Sequence, residues 1–221
     1  AMIGSKPMIQ HVYERAQEAD CADVYVATDS QEITEAVKAF NGNVVMTRHD
    51  LCSGSDRVYE AFRKITGENN NIENIINLQG DLPFIEPKYI KSLAANMTNN
   101  NNQMVTLIAK MDARKAECPG NVKVVIDKNN YALYFSRAKI PVFADEFYYH
   151  IGVYGYKCQV LQDFINLPHS ILEQHEKLEQ LRALEYGIKI HTTLVEQIPV
   201  SVDTEYDLRL VQSEYLTSKY A

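Results

Sequence analysis

The chain has 221 residues, 46% of them hydrophobic, enough for one sizeable core or a core with a smaller lobe and too few for two independent domains. With 22 basic and 29 acidic residues the net charge is -7, which argues against a general polyanion-binding surface and so against nucleic acid as a partner. No apolar run approaches the roughly 20 residues that cross a bilayer and no charged-then-apolar leader opens the sequence, so a soluble cytoplasmic protein is expected, with no membrane partner.

Residues Ala1 to Pro7 lead straight into a helical pattern with Met8, Ile9, Val12 and Ala16 on one face, and no strand precedes it. Val24 to Ala27 then reads as a strand ending at Thr28-Asp29-Ser30, and Ser30 is placed to cap a helix through Ile33, Ala36, Val37 and Phe40. Gly42 closes that helix, Val44 to Met46 forms the next strand, and Thr47-Arg48 stand at its end. The polar stretch Cys52-Ser53-Gly54-Ser55-Asp56-Arg57 opens a helix with Val58, Ala61, Phe62 and Ile65 inward. Free N–H groups at such a helix start suit an anion or base-edge acceptor, which makes Ser53, Gly54 and Arg57 candidates for nucleotide contact; a capped surface helix with a solvated Arg is the other reading.

Ile75 to Leu78 is a short apolar run that stops at Gln79-Gly80-Asp81, with Pro83 behind it. Read as a buried parallel strand, it places Asp81 as an exposed carboxylate at a sheet edge where ligands bind, with Gly80 letting the backbone approach closely; ordinary turn chemistry explains the same residues. Pro87 starts a helix through Ile90, Leu93 and Met97, which dissolves into the solvated run Asn99 to Asn102. Strands then follow closely: Met104 to Ala109, Val122 to Ile126, Tyr131 to Phe135 after a hairpin at Asp127 to Asn130, and the aromatic-rich Tyr148 to Tyr156. This is an antiparallel lobe. On its last strand, His150 and Tyr154 are either ligand contacts or packed residues with satisfied polar tips.

One helix is expected along Leu172, His175, Leu178, Leu181, Ala183 and Leu184, ending at Gly187, with Glu179 and Arg182 as a surface ion pair worth about half a kcal/mol. Ile190 to Val195 is the last strand, and Thr204 caps a terminal helix through Leu208 and Val211. Asp203 stands in the turn before it, where it would be a second metal carboxylate if the fold brings it to Asp81. The four cysteines are scattered, with no Cys-x-x-Cys pair to frame a zinc site or a disulfide scaffold.

The order of these segments resembles the 3-deoxy-manno-octulosonate (Kdo) cytidylyltransferases, or CMP-Kdo synthetases, over nearly the whole chain. Matching stretches include Gly4 to Ile9, Val26 to Asp29, Ser53 to Arg57, Gln79-Gly80-Asp81, Asn121 to Val125, Ala132 to Arg137, His150 to Tyr156, Leu178 to Arg182 and Val202-Asp203-Thr204. The Tyr-Phe-Ser-Arg, His-x-Gly-x-Tyr and Leu-Glu-Gln-Leu-Arg segments look like the Kdo type and not the related CMP-sialic acid synthetases.

The resemblance implies a single α/β domain over residues 1–221, a doubly wound, mostly parallel sheet of the nucleotide-diphospho-sugar transferase type. Residues 104–160 would add a small antiparallel lobe that binds sugar and forms a homodimer. It implies transfer of CMP from CTP to Kdo with release of pyrophosphate, the activation step for lipopolysaccharide synthesis. Asp81 and Asp203 would hold Mg2+ and carry the chemistry; Thr28, Arg48, Ser53, Gly54 and Arg57 would line the cytidine side. Gln79, His150, Tyr154 and Glu179 would hold the sugar hydroxyls, and Arg137 the sugar carboxylate.

Another sugar acid, sialic-acid-like or 8-amino-Kdo, and an inactive nucleotide-binding homologue are the alternatives. The family opens with a strand and a basic, glycine-containing loop that cradles the CTP phosphates; that segment precedes Ala1, and the expectation is that the sequence starts inside the protein. Leu82 stands where the family usually has Glu, and the segment Val142 to Tyr148 is shorter than in the family.

Overall fold

Residues 1–67 and 71–216 are described by the structure, a computed structural model. β1 (Met2–Ile3) and β2 (Lys6–Pro7) pair antiparallel about Gly4, so a short hairpin precedes the first helix where no strand was expected. Gly4 has φ +60°, and a Cβ there would collide with the Tyr215 ring, so glycine is required twice over. α1 (Met8–Glu18), β3 (Val26–Thr28), α2 (Gln31–Ala39), β4 (Val44–Met46) and α3 (Gly54–Thr66) follow as read from the sequence. Ser30 and Ser53 cap α2 and α3 by accepting the backbone N–H of Ile33 and Asp56. β3 and β4 run parallel, and Tyr13, Val26 and Val37 form the core beneath them with Ile9, Val24, Phe40 and Val44.

β5 (Asn74–Asn77), α4 (Pro87–Met97), β6 (Met104–Asp112), α5 (Ala113–Ala116), β7 (Lys123–Ile126), β8 (Ala132–Ser136) and β9 (Glu146–Lys157) come next. They are followed by α6 (Cys158–Ile165), α7 (Ile171–Glu176), α8 (Gln180–Glu185), β10 (Ile190–Val195) and α9 (Glu205–Leu216). The chain divides into two compact units. The first holds the described residues of 1–70, 78–91 and 199–221, and the second holds 71–77 and 92–198.

The second unit is built on a six-stranded sheet in the order β10-β6-β9-β7-β8, with β5 also on β9. The α/β class holds, and the sheet is mixed where a mostly parallel one was expected: β6 and β10 are parallel, whereas β9 runs antiparallel to β5, β6 and β7. The reason is the length of β9. Its 12 residues lie along β6 on one edge and share the other between β5 and β7, so the run ending at Asn77 is antiparallel and not the parallel strand its apolar pattern indicated. β6 is buried along almost its whole length, as an interior strand covered on both faces must be.

The helix expected from Leu172 to Leu184 is broken into α7 and α8 at Lys177, which is left-handed at φ 56°. The break frees the carbonyls of Glu176 and Lys177, and both accept hydrogen bonds from the Arg137 guanidinium. Among the described residues no helix is long and apolar enough to cross a membrane.

Gly155 on β9 faces α4 so closely that a Cβ would lie 2.8 Å from both Leu93 Cδ2 and Met97 Cγ. Leu93 and Met97 are themselves buried and have little room to retreat. Gly155→Ala is expected to lower stability by about 1–3 kcal/mol through overpacking; an unchanged urea midpoint would contradict this contact.

Candidate active site

After β5 the chain enters the first unit and turns through Gln79 to Pro83. The Val202 N–H donates to the Asp81 carbonyl at 2.9 Å, which joins this turn to the segment carrying Asp203. The two carboxyl groups come close enough to interact: the Asp81 pKa is raised, first by burial and then by the Asp203 charge. Asp81 Oδ1 is buried with no hydrogen-bond partner, so Asp81 is a half-buried residue and not the exposed carboxylate its turn position indicated. Asp203 is exposed and accepts a hydrogen bond from Ser201 Oγ at 2.8 Å. Thr204 caps α9 as expected, its Oγ1 accepting from the Asp207 N–H while its own N–H donates to the Asp207 carboxylate.

Two hard carboxylates with an orphaned inward oxygen are a donor set suited to Mg2+, which takes one or two protein carboxylates and fills its other positions with water and phosphate. Among the described residues no third His, Cys, Asp or Glu joins them as a metal cluster. Leu82 is buried, as is Ile85, so the position where the family usually has Glu is a packing position here. Gly80 is not required by packing, since a Cβ would only touch Ile9 Cδ1 at 3.8 Å.

The cytidine-side candidates lie where β3 and β4 end and α3 begins. Thr28 is buried, and its Oγ1 accepts the Ser30 N–H at 3.1 Å. Arg57 is not a solvated surface residue: its guanidinium donates to Thr47 Oγ1 at 2.6 Å and to Asp29 Oδ2 at 3.0 Å, tying α3 to the ends of both strands. Arg48 is held by Glu60, which accepts its backbone N–H at 3.0 Å and its Nε–H at 2.9 Å. Lys64 and Arg48 together bring the Glu60 carboxyl down to about 2. Ser53 and Gly54 form the start of α3, whose first N–H groups point out of the helix.

The sugar-side candidates, apart from Gln79, lie in the second unit. His150 and Tyr154 flank a register shift where β9 passes Thr106 and Leu107 of β6. The Thr106 hydroxyl faces the carbonyls of Ile151 at 3.1 Å and Val153 at 2.9 Å and sits 3.1 Å from His150 Nε2. With the hydroxyl proton on a carbonyl, Nε2–H donates to Thr106 and Nδ1 is left as the ring's acceptor. His150 is buried against Phe135 and Tyr154, and burial lowers its pKa to about 3, so the ring is neutral. Burial likewise raises the Tyr154 hydroxyl, with Tyr156 and Glu179 adding to the effect.

Arg182 is buried, not a surface cation. Its guanidinium lies 3.0 Å from Glu179 Oε1, 3.3 Å from Glu173 Oε2 and 4.6 Å from the Phe164 ring centroid. This fixes Glu179 at the start of α8. The adjacent Gln180, which the sequence reading passed over within Leu-Glu-Gln-Leu-Arg, is buried with Nε2 unpartnered among the described residues. Glu60 and Thr106 were also missed; each lies far along the chain from the residue it positions, and no local pattern marks them.

A family model described as Cytidylyltransferase matches residues 1–190. The 3-deoxy-manno-octulosonate cytidylyltransferase of Rickettsia typhi is 45% identical over 208 residues, spanning 94% of this chain and 86% of that protein. The protein of the same name from Rickettsia bellii is 42% identical over 218 residues, spanning 99% and 89%. Among solved structures, CMP:2-keto-3-deoxy-manno-octonic acid synthetase complexed with CTP matches with a TM-score of 0.92 and 40% identity, covering 98% of this chain and 90% of that one. A 4-diphosphocytidyl-2C-methyl-D-erythritol synthase from Anaerococcus prevotii, at 11% identity and a TM-score of 0.63, shares the fold alone.

His150 carries a testable cost. Below its ordinary pKa of 6.5 the unfolded chain takes up a proton that the buried ring refuses down to about 3. Stability is therefore lost as pH falls through that window, by up to about 1.4 kcal/mol per pH unit for this proton. His150→Gln should show a shallower acid loss between pH 6.5 and 4 in chemical unfolding, and parallel curves would refute the buried neutral ring.

Proposed function

Because the chain belongs to the cytidylyltransferase family, among the 3-deoxy-manno-octulosonate cytidylyltransferases, we propose that it transfers CMP from CTP to Kdo with release of pyrophosphate, in a Mg2+-dependent reaction. The observation that carries the reading is the Asp81–Asp203 pair: two carboxyls held together at a cost, one with a buried oxygen that lacks a partner. When bound there, Mg2+ supplies charge neutralisation and alignment for phosphate groups that are already anionic. Asp81 and Asp203 hold it, and no side-chain nucleophile is needed, since the sugar hydroxyl attacks the α-phosphate and the protein contributes orientation.

Thr28, Arg48, Ser53, Gly54 and Arg57 take the cytidine side, where Asp29 and Glu60 have already fixed both guanidinium groups. Gln79, His150, Tyr154 and Glu179 take the sugar hydroxyls, His150 as a neutral acceptor. Arg137 takes the sugar carboxylate. Its guanidinium contacts among the described residues are all carbonyl oxygens, of Pro119, Glu176 and Lys177, so its charge is oriented without being cancelled.

The same proposal includes a single catalytic domain, a homodimer built with the antiparallel lobe of 104–160, and a cytoplasmic reaction in which CTP is at hand. The relatives' shared Kdo name leaves the other sugar acids and the inactive homologue unsupported.

Full-length protein supplied with CTP, Kdo and Mg2+ should release pyrophosphate only when all three are present; CTP binding without release, or release with a different sugar acid alone, would overturn the reading. Asp81→Asn should cut turnover on the order of 10²-fold or more. A carboxyl with a raised pKa loses stability as pH rises past its ordinary value, so the same variant should melt higher than the parent at pH 7 without metal. A lower melting temperature would mean that the pair is a structural hydrogen bond.

A further inference from the structure

Lys123 is fully buried, at 0% exposure, on β7. Its Nζ donates to the carbonyl of Arg137 at 2.5 Å and to that of Cys118 at 3.1 Å. A buried ammonium is a poor stabiliser compared with an apolar side chain of the same size, so its place calls for a reason other than packing. Across from it, Glu176 at the end of α7 accepts the Arg137 N–H at 2.9 Å and the Ser136 hydroxyl at 2.7 Å. The Glu176 carbonyl then takes Arg137 Nε–H at 2.8 Å. The Cys118 carbonyl held by Lys123 precedes the Pro119 carbonyl that accepts from Arg137 Nη1 at 3.3 Å.

Both peptide polar groups of Arg137 are thus bound to charged side chains, one of each sign. Three of the five guanidinium N–H groups are bound to carbonyls, which leaves two for a ligand. Glu176 spends its carboxylate on the backbone N–H and the Ser136 hydroxyl while its carbonyl orients the guanidinium, so it fixes Arg137 without forming an ion pair with it.

We propose that Lys123 and Glu176 are positioning residues for substrate, clamping the Arg137 backbone from both sides so that its guanidinium meets the carboxylate of the sugar acid. The proposal rests on the sugar-acid reading above and extends it to two residues that act through Arg137 and touch no substrate themselves. Lys123 lies within the matched Asn-Val-Lys-Val-Val stretch and Glu176 outside every matched stretch, and neither was a candidate from the sequence.

The test compares full-length parent, Lys123→Met and Glu176→Gln for turnover of Kdo with CTP, and for binding of Kdo against its C1 amide, in which the carboxylate is neutral. Glu176 is half-buried and its amide is isosteric, so that variant decides the matter if Lys123→Met does not fold. In the parent the acid should bind about tenfold or more tighter than the amide. In the variants that preference should shrink toward equality, with KM for Kdo raised about tenfold or more and KM for CTP held within about twofold. A folded variant that keeps the full acid preference, or one that loses CTP and Kdo affinity equally, overturns the proposal. A parent that binds acid and amide alike removes the role of Arg137 and the proposal with it. A parent that turns over no Kdo overturns the function reading instead.

Discussion

Two carboxyl groups set close together, one of them half-buried, disfavour each other's charge, so the backbone that carries them has to be tied in place. Here the tie is the hydrogen bond from the Val202 N–H to the Asp81 carbonyl, and behind it the anchoring of α9. One end of that helix is closed by the reciprocal Thr204 and Asp207 bonds. Near its other end, Tyr215 stacks on Phe84 with ring centroids 6.1 Å apart and meets the edge of His11 at 5.5 Å, while Gly4 leaves room for its ring. The helix that follows Asp203 and the turn that carries Asp81 are therefore fastened at several points, which fixes the backbone positions of both residues.

Four of the arginines divide by what holds them. Arg48 and Arg57 are gripped by carboxylates, Glu60 and Asp29, which holds each guanidinium in a defined place. Arg182 is neutralised by Glu173 and Glu179 and stacked over Phe164, a structural cation whose work is to fix Glu179. Arg137 is oriented by dipoles instead, so its positive charge is held in place and still available. That distinction is chemical and not visible in residue type: of these four arginines, three are held by carboxylates and one by carbonyl dipoles.

β9 organises the second unit in a similar way. It is long enough to serve β6 along one edge and β5 and β7 along the other, and the register shift opposite Thr106 sets the stretch on which His150 and Tyr154 lie. The cost is a buried imidazole kept neutral, and the gain is a rigid pair of polar side chains on a strand and not a loop.

Local signals in the sequence determined what depends on local chemistry. Ser30, Ser53 and Thr204 were legible as caps because a short hydroxyl before an apolar run answers the free N–H groups of a helix start, and Pro87 was legible as the start of α4. The segments around Asp81, Arg137, His150 and Asp203 were legible as a family because their order is specific even where each alone is ordinary. The tertiary structure alone decided that Asp81 meets Asp203, that Lys123 is buried against the Arg137 carbonyl, that Arg182 lies inside, and that the helix after Ser170 breaks at Lys177. Each of these depends on contacts between residues distant in the chain or on desolvation, and neither leaves a periodic trace: a lysine or an arginine reads as solvated until the fold shows which carbonyls and carboxylates have replaced water around it.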